Sequence, residues 1–237
     1  MLHIGKTQVN LGMPNAKVLY FGETKMGPII GESGEPTPGG TILHQYDRVD
    51  NKATVVNFFV ANDNVRYALC VVDAVYRSGS GMTWGKYGYN TVLPDYKSVE
   101  NAKAAKDTGT FNTTTVLTNY TVTDYPAFNF ARSACTVTVD ENTYLSCLPT
   151  LDELEMIYTD RVTLDTYDPT LEDYTLRSLT EFKCGGSTGL WSSNEQGINY
   201  AWKVDAYNKP HTYRKDGSSF GVIPVIEIPV DENGRVM

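Results

Sequence analysis

The chain has 237 residues, 41% of them hydrophobic, and a net charge of -8 at pH 7. That suffices for one sizeable core, while no apolar stretch approaches the roughly 20 residues needed to cross a bilayer. The acidic balance argues against nucleic-acid binding, and four scattered cysteines (Cys70, Cys135, Cys147, Cys184) without a CxxC exclude a disulfide framework and the common zinc patterns.

In chain order, "MLHIGKTQVNLGMPN" has no basic segment followed by an apolar core, so no signal peptide is expected. "AKVLYFGETKMGPIIG", residues 16–31, reads as strand, turn at Gly22-Glu23, strand. An isolated hairpin is marginal in water, so this part is expected to pack on something. "GESGEPTPGG", with four glycines and two prolines, is a linker. Two parts follow: residues 1–39, a β segment with its linker, and residues 40–237, the main domain.

After the linker, "TILHQYDR" (41–48) and "VVNFFVA" (55–61) read as strands. "YALCVVDAVY" (67–76) is nearly continuous in apolar residues, as in a central strand buried on both faces. "RSGSGMTWGKYGYN" (77–90) holds four glycines and must be a loop; it fits no phosphate-binding register. A helix is expected over 95–109, capped by Asp95 or Ser98 and stopped by Gly109. Another runs from Asp124 to Cys135 with Pro126 in its first turn and Ala127, Phe130, Ala131 and Ala134 on one face. In "PTLDELEMIY" (149–158), Thr150 and Glu153 form a capping box. Leu151, Leu154, Ile157 and Tyr158 make its apolar stripe, and Asp152, Glu153 and Glu155 are expected to face outward. Residues 159–183 read as an acidic, irregular region, and "FGVIPVIEIPV" (220–230) as strand broken by Pro224 and Pro229, suited to an edge or a bulge.

Few residues offer catalytic chemistry. His3, His44 and His211 lie far apart in sequence, without an HxH or HxxxH, and no GxSxG turn occurs. Eleven acidic residues between Asp140 and Glu181 read as a solvated face, although a glycosidase-like pair among them is open to geometry alone. The cysteines read as buried small hydrophobes, with a Cys135–Cys147 bridge left open. The richest stretch is "GLWSSNEQGINYAW", Gly189 to Trp202. Trp191 and Trp202 are large enough to be buried anchors. Around them lie Asn194, Glu195, Gln196, Asn199, Tyr200, Lys203, Asp205, Tyr207 and Tyr213, the mixture of rigid aromatics and adaptable polar groups used by binding loops. An ordinary β-hairpin surface would have the same composition.

Leu148-Pro149-Thr150, Glu153-Leu154, Trp191-Ser192-Ser193, Ala201-Trp202 and Val222-Ile223-Pro224-Val225, in that order, resemble the C-type-lectin-fold domains of bacteria and their phages. "GTILHQYDR", the Trp84 loop and the helix ending at Cys135 also fit, so the resemblance spans about residues 40–230. Ile223 stands where the family often has Arg. The resemblance implies an α+β, C-type-lectin-like fold: two or three helices around a small twisted antiparallel sheet with long loops. It also implies that the nine residues from Asn194 to Tyr213 just named form an exposed ligand-binding face, held by Trp191 and Trp202. Relatives diversified by retroelements place their variable residues there. The Glu-Pro-Asn or Gln-Pro-Asp and Trp-Asn-Asp signatures of calcium-dependent lectins are missing, so no metal and no cofactor are expected. The C-terminal cysteine pair of the fold's sulfatase-modifying enzymes is missing too, and no enzyme is expected.

"AKVLYFGETKMG" is similar to short segments of virion proteins from gut-bacterial phages. The expected function is therefore a phage virion-associated adhesin, a receptor-binding protein that grips a bacterial surface glycan or protein. Residues 1–39 would join other virion proteins or build a homo-oligomer, a trimer by expectation, with no nucleic acid and no membrane insertion. The alternatives are a virion decoration or capsid-fibre protein without a receptor, and a bacterial cell-surface location in place of the phage particle.

Overall fold

In the computed structural model the chain divides into two compact units, Met1–Gly40 and Thr41–Met237. The described residues are 40–61, 65–72, 81–105, 107–167, 189–205, 208–218 and 220–237, with backbone alone for 160–167, and before them the backbones of four short strands. In the first unit β1 (Leu2–Ile4) pairs antiparallel with β2 (Thr7–Val9), and β3 (Val18–Phe21) with β4 (Thr24–Pro28). The second of these hairpins lies on the strand–turn–strand pattern of residues 16–31.

The second unit is α+β. Its elements are β5 (Arg48–Val49), β6 (Ala53–Val60), β7 (Arg66–Val72), α1 (Val99–Ala104), α2 (Gly109–Asn119), α3 (Pro126–Ala134), β8 (Thr136–Val139), β9 (Asn142–Leu145), α4 (Leu151–Tyr167), β10 (Leu190–Glu195), β11 (Tyr200–Val204), β12 (Pro210–Arg214) and β13 (Val225–Pro229). The strands form a four-stranded antiparallel sheet ordered β13-β7-β6-β5, a three-stranded one ordered β10-β11-β12, and the β8-β9 hairpin.

The apolar run at residues 67–72 is a central strand because both its faces are covered. Tyr67, Leu69 and Val71 pack with Leu151, Leu154 and Ile157 of α4, while Ala68, Cys70 and Val72 join Ile226, Ile228 and Val137 on the other side. With two dry faces, nothing selects for polar alternation. β13 lies at the sheet edge, where Pro229 is tolerated opposite Tyr67. The strand expected over 41–48 is reduced to Arg48–Val49, because the Asp47 carboxylate accepts the His44 N–H at 2.7 Å and turns the chain there. Thr41 and Leu43 instead bond the far end of the domain, Leu43 N–H to the Gly234 carbonyl at 2.8 Å and Val236 N–H to the Thr41 carbonyl at 2.8 Å.

The helix expected over 95–109 is shorter, and a second one follows it. Ser98 caps α1 by accepting the Asn101 N–H at 3.2 Å. Gly109, expected as a stop, opens α2 behind the Thr108 cap, which accepts the Phe111 N–H at 3.1 Å. The buried residues of α2 are Gly109, Asn112, Thr113 and Val116, a helical period written mostly in small and polar side chains. In α3, Ala127 and Ala131 are buried as expected, but Phe128 takes the core position in place of Phe130. α4 begins with the capping box: Glu153 accepts the Thr150 N–H at 2.6 Å and Thr150 the Glu153 N–H at 3.3 Å. It continues to Tyr167, past the point where irregular structure was expected. Glu153, expected to face outward, is fully buried.

Cys70, Cys135 and Cys147 are free thiols, so Cys135 and Cys147 are not bridged; Cys184 lies outside the described residues. No helix among the described residues is long and apolar enough to cross a membrane.

Phe128 meets Trp84 edge-on at 4.9 Å, with Tyr125 also against it at 6.2 Å. Phe128→Ala should destabilise the domain by about 3–5 kcal/mol. Urea unfolding checks this: a lower midpoint with an unchanged slope is expected.

Candidate functional site

Three indoles tie the loop after residue 80 to the three-stranded sheet. Trp191, in β10, donates to the Met82 carbonyl at 2.8 Å, and Trp202, in β11, to the Tyr96 carbonyl at 2.8 Å. Trp84 donates in the opposite direction, to the Ser192 carbonyl at 2.7 Å. All three rings are buried, so each N–H needs such a partner. Trp191 and Trp202 are the anchors expected of them.

The polar residues after Trp191 are inside as well. Every residue of β10 is buried. Ser192 donates its hydroxyl to the Trp202 carbonyl at 3.0 Å, and Ser193 accepts from the Asn112 amide of α2 at 3.0 Å. Asn194 accepts the Leu151 N–H at 2.7 Å, satisfying one of the unpaired donors at the start of α4. The strand is polar because its neighbours are helix ends and loop backbone, which need hydrogen bonds rather than apolar contact.

Glu195 closes this arrangement. Its carboxylate accepts both the N–H (3.1 Å) and the hydroxyl of Thr91, and pairs with the Lys215 ammonium just beyond β12. Both side chains of the pair are fully buried. Lys215 also donates to the Tyr89 carbonyl at 2.8 Å and lies 5.1 Å from the centre of the Trp84 ring. Burial pulls the Lys215 ammonium below its usual range, and the Glu195 carboxylate opposes that shift. One ion pair thus joins the end of β10, the 89–93 loop and the end of β12.

The nine residues expected on a ligand-binding face are therefore divided. Asn194, Glu195 and Lys203 are buried, against the outward display expected of them. The first two serve the bonds above, and the Lys203 ammonium lies 4.4 Å from the centre of the Phe220 ring. Gln196, Asn199 and Asp205 are half-buried; Asp205 accepts from Lys209 N–H at 2.9 Å and pairs with His211 at 3.0 Å. Tyr200 and Tyr213 are exposed, on opposite faces of the sheet by strand alternation. Tyr207 lies outside the described residues.

Two exposed tyrosines from the glycine loop, unmarked by sequence reasoning, complete a surface. Tyr87, Tyr89 and Tyr200 are 40%, 55% and 42% exposed. Arg214 stands directly opposite Tyr200 across β11 and β12, and its guanidinium lies 4.6 Å from the centre of the Tyr87 ring. Asp216 holds that guanidinium through both oxygens, at 3.0 and 2.8 Å. The Lys86 ammonium is 4.3 Å from the Tyr89 ring centre. Ile198, exposed in the turn between β10 and β11, adds apolar area nearby in the chain. The one signal for the added tyrosines was the Tyr-Gly-Tyr spacing beside Trp84.

Elsewhere, His44 and His211 pair with aspartates at the surface, and no group of three metal-ligating side chains occurs among the described residues. The acidic region is not one solvated face there either: Asp140 accepts from the Thr41 hydroxyl at 2.8 Å, Glu155 pairs with Lys103, and Glu153 is buried. Comparison with family models, curated proteins and solved structures gives no match.

Lys215→Met should leave the Glu195 carboxylate buried without its counter-charge and cost about 3–5 kcal/mol. Urea unfolding measures that cost. Amide exchange at Thr91 and Leu93 should accelerate more than in β7, since the loop loses its fastener first.

Proposed function

We propose that the chain is a non-catalytic recognition protein of the adhesin type, carried on a phage particle, whose domain from residue 40 onward has a C-type-lectin-like fold and grips a ligand on the bacterial surface. The observation that carries this reading is the surface of Tyr87, Tyr89 and Tyr200 around Arg214, rigidly backed by the Glu195–Lys215 pair. Tyrosine offers contact area at small entropic cost, and a clamped Arg adds a flat cation that loses little freedom on binding. Recognition surfaces concentrate energy in such aromatic and Arg anchors.

The lectin-like assignment is supported by where the resembling motifs fall. Leu148-Pro149-Thr150 leads into the cap of α4, Trp191-Ser192-Ser193 opens β10, and Ala201-Trp202 lies in β11. Ile223, in place of the family's Arg, is buried in the core. The step from fold to function is one of analogy. Residues 1–39 serve, in this reading, to attach the chain to the particle or to build its oligomer.

Fluorescently labelled full-length chain, applied to a panel of intact gut bacteria, tests the reading. It should coat some strains and not others. Tyr87→Ala combined with Tyr200→Ala should reduce the coating by at least about tenfold, as for two anchors worth over 1 kcal/mol each, with an unchanged unfolding midpoint. Coating by neither protein on any strain would contradict the adhesin role, and equal coating by both would contradict this surface.

A further inference from the structure

Glu153, at the start of α4, and Glu227, in β13, are both buried, and their carboxyl groups are hydrogen-bonded to each other. Two carboxylates can share a hydrogen bond only if one of them carries a proton. The groups around the pair come from four elements. The Tyr67 hydroxyl of β7 donates to Glu153 at 2.5 Å, and the Thr150 N–H to its other oxygen at 2.6 Å. The Thr110 N–H, in the first turn of α2, donates to Glu227 at 3.0 Å, and the Cys147 thiol faces the same oxygen at 3.6 Å. Neither carboxyl makes an ion pair among the described residues; Arg132 of α3 acts on this cluster only at a distance, through its effect on Cys147. The donors around each oxygen are neutral, so they satisfy hydrogen-bonding demand without cancelling charge.

We propose that Glu153 and Glu227 hold one proton between them and make the junction of α4, α2 and the β7–β13 pair sensitive to pH: firm while the proton is shared, loosened once it leaves. Two negative charges at this distance, away from water and without a cation, repel each other across the elements they join. The same proton leaves each carboxyl its backbone donor, so no buried polar group is orphaned in the acid form.

Burial first, and then the charge of Glu227, hold the Glu153 carboxyl well above the ordinary 4.5. A group raised in the folded state contributes stability that is complete below its unfolded value and is lost as pH rises through the folded one. The sensitive window therefore opens near pH 4.5 and extends upward. Within it, the unfolding equilibrium constant should grow by about tenfold per pH unit for the one retained proton.

The test is urea unfolding of the full-length chain and of Glu153→Gln from about pH 5 to pH 8, the span in which such a proton titrates. Gln keeps an N–H toward Glu227 and an oxygen for Tyr67 but cannot lose a proton. The wild-type constant should climb relative to that of Glu153→Gln by up to the tenfold per unit given above; parallel curves would overturn the proposal. Should Glu153→Gln fail to fold, infrared spectra of the wild-type protein decide. A protonated-carboxyl C=O band present in the folded protein at neutral pH and lost on unfolding supports the shared proton, and its absence overturns it.

Discussion

The Glu195 carboxylate is the constraint on which the candidate surface rests. It lies at the last residue of β10, fully buried, and collects donors from Thr91 and from Lys215. A charge in such a place is tolerated only with a counter-ion and filled lone pairs, and removing either partner leaves the other stranded. The pair therefore specifies an arrangement more than it adds net stability. The 89–93 loop and the end of β12 must meet at β10, and their outward side chains must meet with them.

Around that pair the three indoles repeat the same logic with neutral groups. Each buries a large ring and spends its one N–H on a backbone carbonyl of another segment. The outcome is a glycine-rich loop that is fastened at Met82, Trp84, Thr91 and Tyr96. Tyr87 and Tyr89 are carried between those fixed points and project outward, beside Tyr200 and Arg214. Rigid backing matters for recognition because a surface ordered in advance loses less entropy when a ligand arrives. Glu153 meets the same problem, a buried carboxyl, with a neighbouring acid in place of a lysine. The first solution fixes a charge, whereas the second makes the charge depend on pH.

What could be read from the sequence was whatever obeyed hydrophobic period or capping chemistry. The capping box of α4, the two-faced burial of β7, Pro126 in the first turn of α3 and the burial of Trp191 and Trp202 all follow from local pattern. α2 did not, because its inward face is Gly109, Asn112 and Thr113, which score as loop or strand residues in isolation. β10 misled for a related reason. Ser192, Ser193, Asn194 and Glu195 look like a solvated loop, yet each pairs with a helix end, a strand carbonyl or a lysine distant in sequence. Polar residues declare their partners only in three dimensions. That is why the expected surface was placed partly on residues that hold the scaffold, and why Tyr87 and Tyr89 were not included in it.

Hydroxyl-radical footprinting of the free full-length chain measures the central claim most directly, since it reads aromatic exposure residue by residue. The account predicts rapid modification of Tyr87, Tyr89 and Tyr200, with Trp84, Trp191 and Trp202 protected until the protein unfolds. Indoles that react as fast in the native chain as the tyrosines do, or tyrosines as protected as the indoles, would contradict it.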